Sequence, residues 1–203
     1  LLIRIKQLVP PYVRIERGIR DIPSNSIRAG SLATNLREEV QRRMRSRGLR
    51  CQCIRCRQVR TDSSGPFSLV RRDYEASDGA ELFLSFEDRA TDQLAALLRL
   101  RIPAGAGRPQ GLPVLEEAAL IRELHAYGYH VPLHGQRDGA IQHRGFGRRL
   151  MAEAERIARE EFGLPRMAVI AGVGVREYYR RLGYTLQDTY MVKELVTGPG
   201  LRW

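Results

Sequence analysis

Apolar and polar positions change rhythm along the chain, and the changes predict its elements. In residues 35–47, Leu36, Val40 and Met44 recur every fourth position, the spacing of one helical face. Asn35 with Glu38 three residues on signals a helix start, and Gly48 a stop. Upstream, residues 1–30 predict an extended connector. Pro10-Pro11 and Pro23 break helix there, and Val13 and Ile15 alternate with Arg14 and Glu16. From about residue 67 the rhythm becomes strand-like. Residues 67–70 and 80–86 predict two strands joined by a turn at Ser77-Asp78-Gly79, and residues 94–102 and 118–127 predict two more. Residues 103–113, rich in proline and glycine, and the polar stretch 132–141 predict loops. Leu150, Ala154, Ile157 and Ala158 mark a helix over 148–162, which Gly163 and Pro165 stop. A short buried strand at 167–170, a helix at 176–182 closed by Gly183, and a strand at 190–196 follow. Strands first, then strand, helix, strand and helix, predict an α/β fold with one mixed sheet flanked by helices.

Charge divides the chain in two. Residues 1–60 hold 15 Lys and Arg against 4 Asp and Glu, while residues 61–203 hold 19 of each, so the whole net charge of +11 lies in the first 60. Two parts are expected accordingly, a basic connector with helix over 1–60 and a folded domain over 61–203. A basic surface of that density attracts polyanions, and Arg42, Arg43, Arg45 and Arg47, on and around the predicted helix, are the candidate RNA-binding residues. The alternative is a solvated basic face. No apolar run approaches the roughly 18 residues a membrane helix needs, and no signal-peptide pattern is present. A soluble cytoplasmic protein without a membrane partner is expected. The first residue is Leu1 rather than methionine, which suggests a piece of a longer protein.

Cys51, Cys53 and Cys56 are the only cysteines. An odd, tight cluster makes a poor disulfide framework and a good beginning for a tetrahedral zinc site, with three thiolates at hand. The fourth ligand is not readable among His125, His130, His134 and His143. Three free thiols beside many arginines, easily oxidised, are the other reading.

The run Gln142-His143-Arg144-Gly145-Phe146-Gly147 follows a predicted strand and opens the clearest helix. Glycines let a ligand approach the backbone, and first-turn N–H groups bind anionic oxygens. Arg144, Arg148 and Arg149 add positive charge, so a diphosphate is the natural guest.

This Q-x-x-G-x-G turn into a helix resembles the coenzyme A signature of the GNAT acetyltransferase superfamily. Further blocks occur in order: residues 51–57 around the cysteines, Arg71-Arg72-Asp73-Tyr74, Glu123-Leu124-His125-Ala126-Tyr127-Gly128, and residues 172–184 around Tyr178-Tyr179. Together with residues 10–15 they are similar to the C-terminal part of the Elongator catalytic-subunit family of tRNA uridine acetyltransferases. The resemblance covers nearly the whole chain. It implies a GNAT-type mixed sheet, acetyl-CoA as cofactor and tRNA as partner. It also implies zinc at the cysteines and, in a eukaryotic setting, other Elongator-type subunits. That family joins a two-carbon unit to the wobble uridine with a radical S-adenosylmethionine domain. Neither that domain nor its iron–sulfur cysteines lie in these residues, so the chain alone is expected to bind or hydrolyse acetyl-CoA.

By motif, the resemblance implies that Glu123, Leu124, His125 and Ala126 hold the pantetheine arm through their backbone. Gln142, Arg144, Gly145, Phe146, Gly147 and Arg148 would hold the pyrophosphate, and Tyr179, with Tyr178 beside it, would serve the thioester. Ala126 stands where the family usually has valine. A phenol there can hydrogen-bond the thioester or protonate a departing thiolate. Read from the residues alone, neighbouring tyrosines point about 100° apart, so one can pack in the helix while the other, Tyr179 being favoured, faces the site. His125 could equally be structural, and Glu123 an arginine's partner. Two other functions remain open: a protein or small-amine N-acetyltransferase of the same fold, and a non-catalytic, zinc-stabilised RNA-binding module.

Overall fold

The structure, a computed structural model, describes residues 1–16, 23–30, 35–60, 65–104, 111–127 and 145–195. It divides into two compact units, Leu1–Gln58 and Val59–Trp203.

In the first unit the expected extended connector is instead a helix at its start, α1 (Leu2–Leu8). Proline disfavours helix at the residue before it but not a turn farther back, and the chain turns extended only at Val9, with Pro10 next. Helix α2 (Leu36–Ser46) buries Val40 and Met44, as its apolar stripe requires. The predicted side-chain cap is absent: Asn35 contributes its carbonyl, which accepts from the Glu39 N–H at 3.1 Å. At the other end Gly48, at φ +66°, lets Leu49 N–H reach the Met44 carbonyl at 2.9 Å, while its own N–H reaches Arg45 at 3.0 Å. This pair of bonds satisfies carbonyls the helix would leave open. A single turn, α3 (Ile54–Arg57), follows the cysteines. The Ile54 N–H bonds the Val13 carbonyl at 3.0 Å. Arg57, buried, donates to the carbonyls of Gln52 (2.8 Å) and Pro11 (3.0 Å), and so ties this loop to the segment after α1.

The second unit is built on a seven-stranded sheet. Its strands are β1 (Ser68–Ala76), β2 (Gly79–Asp88), β3 (Gln93–Ile102), β4 (Ala118–Ala126), β5 (Arg166–Ile170), β6 (Thr185–Gln187) and β7 (Tyr190–Glu194), in spatial order β1-β2-β3-β4-β5-β7-β6. Every neighbouring pair is antiparallel except β4 and β5, which α4 (Phe146–Glu160) connects as a parallel crossover. Short β6 is absent from the sequence reading, because three exposed residues carry no alternation. Val196, at the end of the last predicted strand, and the predicted loop at 132–141 lie outside the described residues. The hairpin of β1 and β2 turns on two residues, Ser77 and Asp78, both at positive φ, so Gly79 already belongs to β2. A Cβ at Gly79 would lie 2.6 Å from the Ile102 carbonyl oxygen, which explains the glycine.

Helix α4 packs on β2 to β5 through Leu150, Met151, Ala154, Ile157 and Ala158, all buried. The strand residues that alternate onto its side, among them Leu84, Leu98, Leu100 and Ile121, are 0–1% exposed. The opposite side of the sheet is lined with ion pairs. Arg72 grips Glu87 through both carboxylate oxygens (2.6 and 2.9 Å), Arg99 meets Glu123 at 2.8 Å, and buried Glu81 accepts from Arg101 (3.1 Å) and Arg122 (2.6 Å). Arg122 reaches Glu81 from a bulge, the residue β4 inserts opposite the Arg99–Leu100 step of β3. No helix among the described residues is long and apolar enough to cross a membrane.

Candidate functional site

Strands β4 and β5 run side by side only as far as the pair Ile121 and Val169. From there they part: β4 continues to Ala126 along β3, with His125 opposite Leu97 and Ala126 opposite Ala96, while β5 ends at Ile170. Glu123, Leu124, His125 and Ala126 lie on the diverging stretch. The side chains of Glu123 and His125 are engaged elsewhere, Glu123 with Arg99 and His125 against the Tyr127 ring at 4.3 Å between centroids. What that stretch offers a ligand is therefore backbone.

Helix α4 begins two residues earlier than its apolar pattern predicts, at Phe146. The chain enters it through Gly145 in the left-handed conformation (φ +68°), which a side chain would make costly. No side chain among the described residues caps this end, and Arg149 N–H bonds the Gly145 carbonyl at 3.0 Å. The first-turn amides, those of Gly147 and Arg148 included, aim out of the N-terminus. Phe146 anchors the turn, stacked on Phe86 of β2 at 4.4 Å and edge-on to Phe67 at 5.8 Å. The Arg149 guanidinium covers the other contact, 4.5 Å from the Phe86 ring centre. Gln142 and Arg144 lie outside the described residues, as do His130, His134 and His143.

Beyond β5 the chain enters α5 (Arg176–Arg180). Its two tyrosines point differently. Tyr179 is buried, edge-on to Tyr178 (5.2 Å) and Tyr184 (6.0 Å), and burial pushes its phenol up to about 12. Tyr178 is 38% exposed and lays its hydroxyl 3.0 Å from where a Cβ of Gly147 would stand. The structure thus brings the second glycine of the α4 entrance and a phenol of α5 together. Burial raises the Tyr178 phenol, and the Arg148 charge opposes that rise. Behind them Tyr184 donates to Glu155 of α4 at 2.8 Å, and Lys193 bonds the other Glu155 oxygen at 2.7 Å, locking α5 and β7 to the helix.

In the first unit the sulfurs of Cys51, Cys53 and Cys56 lie within 4.8 Å of one another. Lys6 Nζ is 3.7 Å from both the Cys51 and the Cys56 sulfur, Gln41 Nε2 3.5 Å from Cys56, and Arg37 Nη2 4.0 Å from it. Hydrogen bonds from Cys51 and Cys53 lower the Cys56 thiol, and the Lys6 charge adds to the effect. Three convergent soft donors in a cationic surround fit one thiophilic divalent ion. Sequence reasoning missed Lys6, Gln41 and Arg37 as neighbours. The only available signal was the four-residue step from Leu2 to Lys6, hidden by the reading of residues 1–30 as extended.

The candidate RNA-binding arginines separate. All four are exposed, but Arg42 and Arg43 both pair with Glu39, Arg43 at 2.5 Å, while Arg45 and Arg47 stand at the end of α2.

Comparison with known proteins gives the relatives. The model of the acetyltransferase (GNAT) family matches residues 60–184. The tRNA uridine(34) acetyltransferase of Dehalococcoides mccartyi is 52% identical over 96% of this chain and 43% of its own length. Elongator complex protein 3 of Schizosaccharomyces pombe is 46% identical over 96% and 37%. The solved structure of archaeal Methanocaldococcus infernus Elp3 with an N-terminal deletion superposes with a TM-score of 0.80 at 45% identity, covering 96% of this chain and 47% of that one. The chain thus spans less than half the length of these relatives. From the diverging strands β4 and β5, the glycine entrance of α4 and the matched family model, it follows that this chain belongs to the GNAT acetyltransferase family.

Proposed function

We propose that the second unit is the acetyl-CoA-binding domain of a cytoplasmic tRNA-modifying enzyme that acts on the wobble uridine. The observation that carries the reading is the parting of β4 from β5, together with the glycine entrance of α4 and the Tyr178 hydroxyl beside Gly147. The pantetheine arm extends along the backbone of Glu123, Leu124, His125 and Ala126 as an added strand. Its amides then pair with β4 rather than with β5. The pyrophosphate meets the amides of Gly147 and Arg148, and Gln142 and Arg144 complete the cradle. Acetyl-CoA supplies the activated two-carbon unit. Tyr179, kept protonated by burial, would protonate the departing thiolate. Tyr178 guards the phosphate end. The tRNA assignment rests on the names of relatives 45–52% identical across nearly the whole chain and on the basic charge of residues 1–60. Assembly with further Elongator-type subunits belongs to the same proposal, in a eukaryotic setting.

In the first unit, Cys51, Cys53 and Cys56 would hold one zinc ion as a structural centre, each thiolate occupying one corner of the tetrahedron. Titration calorimetry tests the cofactor reading: the chain should bind acetyl-CoA one to one, and failure of the folded chain to bind it overturns the assignment. Acetyl-CoA hydrolysis measured with and without tRNA tests the substrate. A rate indifferent to saturating tRNA but raised by free amines points to a small-amine acetyltransferase instead.

A further inference from the structure

We propose that Lys6 is a built component of the thiolate centre. Its ammonium closes the face of the site between Cys51 and Cys56, and so couples metal binding to helix α1. The inference rests on the metal reading above and goes beyond it. Lysine is among the residues least often buried unless paired, yet Lys6 is 7% exposed and is the one buried residue of α1. Its Nζ is equidistant from two sulfurs, at 3.7 Å from each, across 45 and 50 residues of sequence. No carboxylate among the described residues forms a salt bridge with Lys6, so the sulfurs are the partners that explain its burial. Gln41 and Arg37 of α2 also donate to Cys56.

Charge accounts for the arrangement. Three thiolates on a divalent cation leave the centre with one net negative charge, costly to hold in a partly buried site. The Lys6 ammonium, the nearer of two cations with Arg37, offsets it. Hydrogen-bond donors to ligating groups orient them and tune the ion they hold, and losing one such partner lowers metal affinity by about 10- to 100-fold. Lys6 acts here as a positioning residue: it touches the ligands, not the ion. The consequence for the fold is that α1, α2 and the cysteine loop share one centre, so an ion bound at the loop also holds α1.

The test compares the whole chain with Lys6→Met, which keeps the stem and removes the charge, and Lys6→Arg, which keeps both charge and N–H donors. Zinc affinity is measured by competition with a chromophoric chelator, and the melting temperature of the metal-free and zinc-loaded forms by circular dichroism. We expect Lys6→Met to bind one zinc at least about 10-fold more weakly, with a metal-free melting temperature close to the parent's and a smaller zinc-induced rise. Lys6→Arg should recover most of the affinity. Parent-like affinity in Lys6→Met overturns the role of Lys6 and leaves the metal site standing. An equal fall in metal-free stability and no rescue by Lys6→Arg assigns Lys6 to packing alone and also overturns it. Should the parent itself take up no zinc, the metal reading falls, and this inference with it.

Discussion

Tyr178 and Tyr179 differ by one position and by about 100° around a helix, and that rotation gives them separate work. Tyr179 lies in a dry aromatic cluster, where ionisation is unfavourable and a proton is retained for donation. Removing its hydroxyl should lower kcat for acetyl-CoA hydrolysis by about 10²-fold or more, with KM little changed, because the ring and its packing stay. The Tyr178 hydroxyl stands over Gly147, so Tyr178→Phe should act mainly on affinity. Steady-state kinetics on the two variants separates these roles, and equal effects on kcat would contradict them. Gly147→Glu puts both a side chain and a negative charge against that hydroxyl and the helix N-terminus. Acetyl-CoA binding should vanish while far-UV circular dichroism is retained; calorimetry showing unchanged affinity removes the cradle from the proposal.

Elements carry the next set of effects. Leu150 is fully buried on the face of α4 that covers the sheet, so Leu150→Ala should cost about 2–5 kcal/mol in urea unfolding. The cysteine loop is organised differently, with three sulfurs gathered beside the fully buried Ile54. Cys53→Ser should therefore lose the zinc, about one ion per chain by elemental analysis of the parent, and melt earlier. Helix α2 places its charges unevenly. Arg42 and Arg43 share Glu39, so Arg45 and Arg47 carry the less compensated charge. The double variant Arg45→Glu with Arg47→Glu should weaken tRNA binding and flatten the dependence of log affinity on log salt by about one per arginine. Acetyl-CoA affinity should not change. Filter-binding across a salt series that returns the parent's slope would make this end of α2 a solvated face.

At the scale of the molecule, the second unit depends on tyrosines that must stay neutral. Burial raises the phenol of Tyr184, the Glu155 carboxylate adds to this, and Tyr179 is pushed up to about 12. In the unfolded chain both ionise near about 10. Their folded values are raised, so their contribution is complete below that pH and is lost as pH climbs toward the folded values. Chemical denaturation should show stability falling steeply above about pH 10. Tyr184→Phe should lower stability at neutral pH through the lost Glu155 bond but make the alkaline fall shallower. A parallel alkaline decline in parent and variant would show that Tyr184 does not ionise on unfolding in that range.

The order of strands and helices in the second unit was legible because β2 and β3 are apolar runs bounded by turn residues, and because α4 repeats its apolar positions nearly every fourth residue through Leu150, Ala154 and Ile157. The cradle was legible because its glycines precede the clearest helix, and Gly145 is demanded locally by a left-handed backbone; the close approach of Tyr178 to Gly147 is a tertiary contact. The cysteine cluster was legible because its ligands are near in sequence. Short β6 and helix α1 were not, since three exposed residues and two turns beside a proline pair leave no period to count. Nor could any local pattern show which tyrosine would face the cradle. Least of all could it show that Lys6 would meet sulfurs 45 and 50 residues away. Periodicity and glycine geometry are properties of neighbouring residues, and the sequence determines them. Burial of a lysine among thiols depends on how α1, α2 and the loop close on one another, which only the tertiary structure decides.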